Sequence, residues 1–215
     1  MKKKVAGIVI AGLVALTGSL AAYWNIDVSA MGPNGVPAEH RDTASKGSGA
    51  ASRTASAPGR GTYSGRVVRI ADGDTVTFLT VSGEQIKIRL DSIDAPEQGH
   101  GSKQPGQPFS NASQDHLGQW LAGKTITARC YDTDQYKRSI CDLVAPDGDT
   151  ASREQVRAGF AWAYTARKGE YLRDKTLPGL QSQASAARRG LWAERDPKAP
   201  WQWRYDCWRQ AQCDR

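Results

Sequence analysis

Short runs of alternating apolar and polar residues dominate the middle of the chain. In residues 86–90, Ile86, Ile88 and Leu90 form one face of a strand, and Arg89 points away from that face. Polar turn sequences separate this run from others that are rich in valine, isoleucine and threonine. We predict five short strands, at residues 63–70, 75–81, 86–90, 125–131 and 139–144. Strands of this length and spacing favour a small closed barrel.

Three further segments have helical spacing. The first covers residues 110–122 before Gly123, the second opens on a capping-box pattern at Ser152 and stops at Gly159, and the third covers residues 178–189. The side chains expected to face inward are Ser113, Leu117, Trp120, Leu121, Leu180, Ala184 and Ala187. The folded region is therefore predicted to be an α+β domain that is mainly β, with about three packed helices.

The first sixty residues do not resemble a domain core. Three lysines precede an uncharged, mostly apolar run from Val5 to Trp24, whose helical length of about 30 Å would just cross a bilayer. Residues 1–24 are predicted to be either a cleaved signal peptide or an uncleaved membrane anchor. Either would place the rest of the chain outside the cytoplasm, in the cell envelope or periplasm or secreted. Residues 25–60, rich in Ala, Gly, Ser and Pro, are predicted to form a flexible linker.

Net charge is less informative than its value of +7 suggests. Residues 61–215 contain 22 Lys and Arg against 19 Asp and Glu and so carry only +3, while the first sixty residues contribute +4. Bulk charge alone therefore does not indicate a nucleic-acid partner. The positions of individual arginines have to carry that inference.

Four cysteines form two pairs that are close in sequence. Cys130 ends one predicted strand and Cys141 lies in the next, so a disulfide could join them across the turn, and Cys207 with Cys213 could close a small C-terminal loop. Two disulfides suit an exported protein. The alternative is a zinc site built from four thiolates, but the usual ligand spacing is missing.

The C-terminal tail is rich in tryptophan. Because several exposed indoles would be costly, we expect them to pack back onto domain 61–196 from an extension at 197–215. An alternative is that one of them stacks on a nucleobase. The indoles concerned are Trp192, Trp201, Trp203 and Trp208.

Three polar clusters, at residues 72–75, 89–97 and 134–138, lie at strand ends and turns. Their carboxylates are the oxygen ligands that a hard cation such as Ca²⁺ or Mg²⁺ prefers, and their arginines can donate two parallel hydrogen bonds to a phosphate. Hydrolysis of a phosphodiester needs a cation, a base and guanidinium donors. Each cluster alone would be an ordinary turn or strand end, but together they point to this reaction.

Each group can be given a role. Asp74 and Asp94 are the candidate metal ligands, and Glu97, in the same rigid segment as Asp94, could accept a proton from the attacking water or orient it. Arg89 and Arg138 are the candidate phosphate ligands.

The order of these clusters, followed by Val156-Arg157-Ala158-Gly159-Phe160-Ala161 and Ala187-Arg188-Arg189-Gly190-Leu191-Trp192, resembles the staphylococcal nuclease (thermonuclease) family. The resemblance covers about residues 62–195. It implies an OB-fold barrel surrounded by helices, and a monomeric, Ca²⁺-dependent nuclease that cuts DNA and RNA and leaves 3′-phosphorylated ends.

Motif position extends the candidate site. Ala95 stands where the family often has threonine and would add its backbone carbonyl to the two aspartates as a calcium ligand, and Tyr136 resembles a tyrosine that hydrogen-bonds a nucleotide phosphate. Tyr164 is the nearest match to a tyrosine that contacts the base. Lys137 is a departure, because the family usually has glycine between this tyrosine and Arg138.

Three functions compete. The leading hypothesis is an exported or membrane-tethered, metal-dependent endonuclease acting on DNA and RNA, in contact with the membrane if the N-terminal segment is retained. A catalytically inactive nucleic-acid-binding module is the main alternative, since fold alone does not guarantee activity. A stalked envelope protein that uses the barrel for protein contacts is the third. The presence of all five candidate site residues together favours the enzyme; they are Asp74, Arg89, Asp94, Glu97 and Arg138.

Overall fold

The computed structural model describes residues 59–213. The elements are strands β1 (Gly61–Ile70), β2 (Thr75–Thr80), β3 (Gln85–Leu90), β4 (Ile93–Asp94), β5 (Ile126–Thr133), β6 (Ser139–Val144) and β7 (Trp162–Ala163), and helices α1 (Ser110–Leu121), α2 (Ala151–Ala158), α3 (Ala166–Gly169), α4 (Leu177–Ala186) and α5 (Pro200–Trp203). A 3₁₀ turn at Gly190–Ala193 and a π-helical turn at Arg204–Arg209 complete the described chain. No helix between residues 59 and 213 has the length and apolarity needed to cross a membrane. The predicted targeting segment, and all of the linker before residue 59, lie outside the described residues.

Five strands close into a barrel in the order β1-β2-β3-β6-β5. The β3–β6 pair is parallel, and the other four pairs, including β1–β5, are antiparallel. The predicted OB-fold barrel of an α+β domain is therefore confirmed. The two-residue strands β4 and β7 pair with each other outside the barrel and were not predicted, because two residues carry no period.

Alternation along the strands builds the barrel core as expected. Phe78, Ile86, Ile88 and Leu90 are fully buried, and β2 ends at Thr80. The predicted last residue of that strand, Val81, lies in the following turn and is exposed. Removal of the apolar face from water is the main source of stability here.

Helix α1 was predicted correctly within one residue, but α2 begins earlier than its capping-box pattern indicates. Thr150, not Ser152, caps α2, because the Thr150 side chain accepts a hydrogen bond from the backbone N–H of Arg153. The Ser152 hydroxyl instead donates to the carbonyl of Asp91 at 2.9 Å. Gly159 ends the helix in the left-handed conformation, as predicted.

The third predicted helix is shorter than expected. Helix α4 ends at Ala186, and Ala187 is exposed rather than inward-facing. Ala184 is fully buried and Leu180 packs against the core, as predicted. The residues after α4 leave the helix because Arg188 and Gly190 both adopt positive φ angles.

The tail packs onto the domain, as its tryptophans predict. Trp203 and Trp208 both donate their indole N–H groups to the carbonyl oxygen of Pro105, at 3.4 and 3.0 Å. Gln107 adds a second tie by donating its amide to the carbonyl of Lys198 at 2.7 Å. The loop before α1 and the C-terminal tail are therefore joined by several hydrogen bonds.

Both predicted disulfides are present. Cys130 and Cys141 lie directly opposite each other in the β5–β6 pair, and Cys207 is bonded to Cys213 in the tail. The alternative of a four-thiolate zinc site is therefore wrong.

Simultaneous Cys130→Ser and Cys141→Ser substitution is expected to lower the free energy of unfolding by about 3 kcal/mol, because the open chain regains loop entropy in the unfolded state. Urea denaturation of the oxidised proteins would measure the change. Reduction of the unsubstituted protein should destabilise it at least as much, and an unchanged unfolding midpoint in the double variant would contradict the prediction.

Candidate active site

Strand pairing brings the three polar clusters to one end of the barrel. Thr75, at the start of β2, lies opposite Arg89, near the end of β3, and the N–H of Leu90 donates to the carbonyl of Asp74 at 2.8 Å. β6 begins late along β3, with its first residue Ser139 beside Ile88, so the residue that precedes β6, Arg138, also lies near this end. Residues more than sixty positions apart thus become neighbours.

Asp74 is a buried carboxylate surrounded by donors. It accepts hydrogen bonds from the hydroxyl of Thr75 at 2.9 Å and from the backbone N–H of Ala95 at 3.1 Å, and Arg89 lies 3.3 Å away. Burial alone would raise the pKa of Asp74, but Arg89, the Ala95 N–H and Arg138 together hold that pKa below its ordinary value. The side chain is therefore kept as a carboxylate.

Arg89 connects the acidic groups to one another. Its Nη1 donates to the carbonyls of Leu90 and Ile93, at 3.1 and 2.8 Å, and its Nη2 donates to Asp94 at 2.7 Å. The side chain does point away from the apolar face of β3, as predicted, but it is directed inward at protein acceptors. Arg89 therefore holds the carboxylates in position whatever else it contacts.

Asp94 and Glu97 share an arginine that the sequence analysis did not identify. Arg204 in the C-terminal tail donates from Nη2 to Asp94 Oδ2 at 2.8 Å and from Nη1 to Glu97 Oε1. The side chain of Asp94 is only 1% exposed, whereas that of Arg204 is 32% exposed. Burial alone would lower the pKa of Arg204, but Asp94 and Glu97 raise that pKa above its ordinary value.

The loop that follows β4 positions Glu97. Gln107 accepts a hydrogen bond from the Glu97 N–H at 3.3 Å and donates its own N–H to the Glu97 carbonyl at 2.8 Å. Burial raises the pKa of the Glu97 carboxyl to about 7, and the nearby carboxylates of Asp94 and Asp74 add to this shift while Arg204 opposes it.

Arg138 lies beside the acidic cluster without joining its centre. Its Nε donates to Asp134 at 2.7 Å and its Nη1 donates to the hydroxyl of Thr75 at 3.1 Å. Since that hydroxyl in turn donates to Asp74, a short hydrogen-bond chain couples the arginine to the candidate metal ligand. The Arg138 side chain is partly exposed, so its fork can also face solvent.

Lys137 occupies the turn position that glycine usually fills in the family. Its φ angle is +61°, in the left-handed region, and its N–H donates to the carbonyl of Asp134 at 2.9 Å. The lysine therefore adopts the backbone conformation that glycine adopts at little cost.

The two predicted substrate tyrosines lie in different surroundings. Tyr136 is 70% exposed, and its ring centre is 5.5 Å from the guanidinium carbon of Arg138. Tyr164 packs edge-on against Trp201 and near Tyr171, at centroid distances of 5.4 and 6.2 Å. The structure thus brings Tyr136 next to the site arginine and places Tyr164 in an aromatic group that includes the tail.

Gln155 is a further positioning residue that the sequence analysis missed. Gln155, fully buried on α2, donates its amide to the carbonyls of Gly73 at 2.7 Å and Ser113 at 3.1 Å. A side chain at Gly73 would overlap the Ser113 hydroxyl and approach Ala95. The turn that carries Asp74 is therefore packed tightly against two helices.

The donor set is suited to a hard divalent cation. Asp74, Asp94 and Glu97 supply carboxylate oxygens at one end of the barrel, and Asp72 lies close to Asp74 through its hydrogen bond to the Asp74 N–H at 2.9 Å. Among residues 59–213, however, no three acidic, histidine or cysteine side chains are arranged as a metal site. In the present arrangement Asp94 and Glu97 face guanidinium groups.

With this geometry in view, comparison with known proteins identifies the family. A sequence profile described as "Staphylococcal nuclease homologue" matches residues 87–194. The chain belongs to this family. The matched range includes Arg89, Asp94, Glu97 and Arg138, and it ends before Arg204.

Several relatives match about two thirds of the chain. An "Uncharacterized endonuclease" of Escherichia coli O157:H7 is 40% identical over 141 residues, which are 66% of this chain and 84% of the relative. A "Micrococcal nuclease" of Shigella flexneri is 31% identical over 157 residues, 69% of this chain and 84% of the relative. An "Uncharacterized endonuclease" of Haemophilus influenzae is 36% identical over 139 residues, 65% of this chain and 71% of the relative. The predicted family resemblance is confirmed, and these names support a nuclease.

Lys137→Gly is expected to stabilise the folded protein by about 0.5 kcal/mol. Relief of the left-handed penalty, worth about 1 kcal/mol, should exceed the extra unfolded-state entropy that glycine brings. Thermal unfolding would measure the change, with Lys137→Ala as the control because alanine keeps the penalty. A glycine variant less stable than the alanine variant would count against this account of the turn.

Proposed function

We propose that this protein is a divalent-cation-dependent endonuclease that hydrolyses the phosphodiester bonds of DNA and RNA. The observation that carries the proposal is the meeting of Asp74, Asp94, Glu97, Arg89 and Arg138 at one end of the barrel. A binding module needs cationic and aromatic groups for nucleic acid, but it has no use for three carboxylates held among them. Membership of a nuclease family adds to this support.

Asp74 and Asp94, with the Ala95 carbonyl, are the groups proposed to hold Ca²⁺. Bound there, a divalent cation would supply Lewis-acid polarisation of a phosphate oxygen. Arg89 keeps the two aspartates together through its bonds to Asp94 and its approach to Asp74. Carboxylates fixed before the ion arrives lose little freedom on binding it.

Glu97 is proposed to take the proton from the attacking water. The water oxygen forms a bond to phosphorus, the P–O5′ bond breaks, and the departing 5′ oxygen gains a proton from solvent, so the products are a 3′-phosphate and a 5′-hydroxyl. Arg138 would donate to the phosphate oxygens as negative charge builds on them. Tyr136, exposed beside Arg138, is proposed to contact a neighbouring phosphate, and Tyr164 is proposed to contact the base.

An extracytoplasmic location is part of the proposal. Two disulfides suit an oxidising compartment, because thiols in the cytosol are kept reduced. The apolar segment at residues 5–24 would serve either as an export signal or as a membrane anchor. We propose that the catalytic unit acts as a monomer on nucleic acid outside the cytoplasm.

Purified oxidised protein is expected to cleave single-stranded DNA, duplex DNA and RNA with Ca²⁺ and not with chelator, and Glu97→Gln is expected to reduce kcat by about 10²–10⁴-fold because the amide cannot accept the proton. The new 5′ ends should take a kinase label without phosphatase treatment.

Glu84→Gln is the matched control, since Glu84 is an exposed glutamate in the β2–β3 turn. It should cleave like the unsubstituted enzyme. Tight binding of nucleic acid without cleavage in Ca²⁺, Mg²⁺ or Mn²⁺ would favour the inactive binding module instead.

Two substitutions at Arg138 can separate the effect of its positive charge from the effect of its forked hydrogen bonding. Arg138→Ala should lower kcat by about 10²–10³-fold, and Arg138→Lys should recover only a small part, because lysine cannot form two parallel bonds to a phosphate. Single-turnover cleavage at saturating substrate would measure both. Full recovery by lysine would show that only the positive charge matters.

A further inference from the structure

Arg204 comes from outside the segment that the family profile matches, yet it contacts two of the candidate catalytic carboxylates. It donates to both oxygens of Asp94, at 2.8 Å from Nη2 and 3.3 Å from Nη1, and also to Glu97. The other Asp94 contact, from Arg89 at 2.7 Å, leaves this buried carboxylate bound by two guanidinium groups. The tail thus supplies a positive charge at the place where a divalent cation is proposed to bind.

The tail holds Arg204 there from both sides. On the N-terminal side, the carbonyl of Lys198 accepts the Gln107 amide, and Gln107 also bonds the backbone of Glu97. On the other side, Trp208 donates to the Pro105 carbonyl, and Cys207 is tied to Cys213. The backbone is thereby fixed, while the Arg204 side chain is partly exposed and long enough to swing out.

Arg204 and a divalent cation would compete for these oxygens. Ca²⁺ requires oxygens at about 2.3–2.6 Å, closer than a guanidinium nitrogen approaches, and the two positive charges would repel each other at such a separation. Binding of the cation through Asp94 would therefore require Arg204 to leave. The free energy lost on breaking its ion pairs is subtracted from the free energy of cation binding.

We propose that Arg204 sets the cation affinity of this site, by occupying Asp94 and Glu97 until a divalent cation displaces it. The inference rests on the proposed function, because it assigns the cation to the same carboxylates. It makes the C-terminal extension a part of the active site. A protein with Arg204 should bind Ca²⁺ more weakly than one without it. In the absence of metal, the protein with Arg204 should also be more stable to unfolding.

The test compares the full oxidised chain with its Arg204→Gln variant by calorimetric titration with Ca²⁺ alone. We expect the variant to bind Ca²⁺ at least about tenfold more tightly. In chelator the variant should melt at a lower temperature than the unsubstituted chain, since Asp94 and Glu97 lose the positive charge of Arg204. Saturating Ca²⁺ should narrow or reverse that difference in melting temperature.

Two further variants complete the experiment. Arg209→Gln is the matched control, because Arg209 is an exposed arginine in the same π-helical turn, and its Ca²⁺ affinity should equal that of the unsubstituted chain. Arg204→Lys keeps one charge without the fork, so its affinity should fall between those of the glutamine variant and the unsubstituted chain. If Arg204→Gln does not fold, the Ca²⁺ affinity of Arg204→Lys still tests the proposal.

The outcomes separate the two proposals. If the unsubstituted chain binds Ca²⁺ and cleaves nucleic acid but Arg204→Gln binds Ca²⁺ equally or more weakly, the role of Arg204 is overturned and the nuclease stands. If neither protein binds Ca²⁺ and neither cleaves in any divalent metal, the proposed function is overturned, and the inference falls with it.

Discussion

The site depends on ion pairing between buried carboxylates and arginine. A buried carboxylate without a partner would cost several kcal/mol of folding free energy. Asp74 and Asp94 therefore require the positively charged guanidinium group of Arg89, which lies on β3. Arg89 also donates from Nη1 to the carbonyls of Leu90 and Ile93, which fixes the backbone between β3 and Asp94. One side chain thereby fixes both the charge balance and the backbone of the site. The structure pairs every carboxylate at the centre with a donor.

Short-range sequence patterns predicted the barrel strands better than they predicted the helix starts or the β4–β7 pair. Alternation predicted β3 well, because Ile86, Ile88 and Leu90 lie on its one buried face, and the turn residues before β2 predicted where that strand begins. Helix starts were less predictable, since Thr150 and Ser152 are both good capping residues and Ser152 is used by the carbonyl of Asp91 instead. The β4–β7 pair, Ile93–Asp94 with Trp162–Ala163, depends on tertiary packing that no short window contains.

The candidate site shows the same division. Motif order was enough to nominate Asp74, Asp94 and Glu97, and the register of the β3–β6 pair, which sets the start of β6 beside the end of β3, explains why Arg138 joins them. Arg204 could not be nominated, because it is 107 positions from Glu97 and stands in a tail with two other arginines and no motif. The clustered tryptophans and the nearby cysteine pair were a signal that the tail docks, but they do not reveal which side chain it delivers.

The docked tail also changes how Glu97 should be understood. Glu97 is held through its backbone by Gln107, and Gln107 holds Lys198 of the tail, so the proposed base and Arg204 are positioned by one connected frame. Because Gln107 holds the backbone of Glu97, the Glu97 carboxylate stays near the site whether or not Arg204 is bound to it. Displacement of Arg204 would therefore free the Glu97 carboxylate without moving its backbone. A divalent cation can then replace the Arg204 guanidinium while the carboxylates of the site stay in position. Groups that are already in position before the reaction are what a preorganised site for a charged transition state requires.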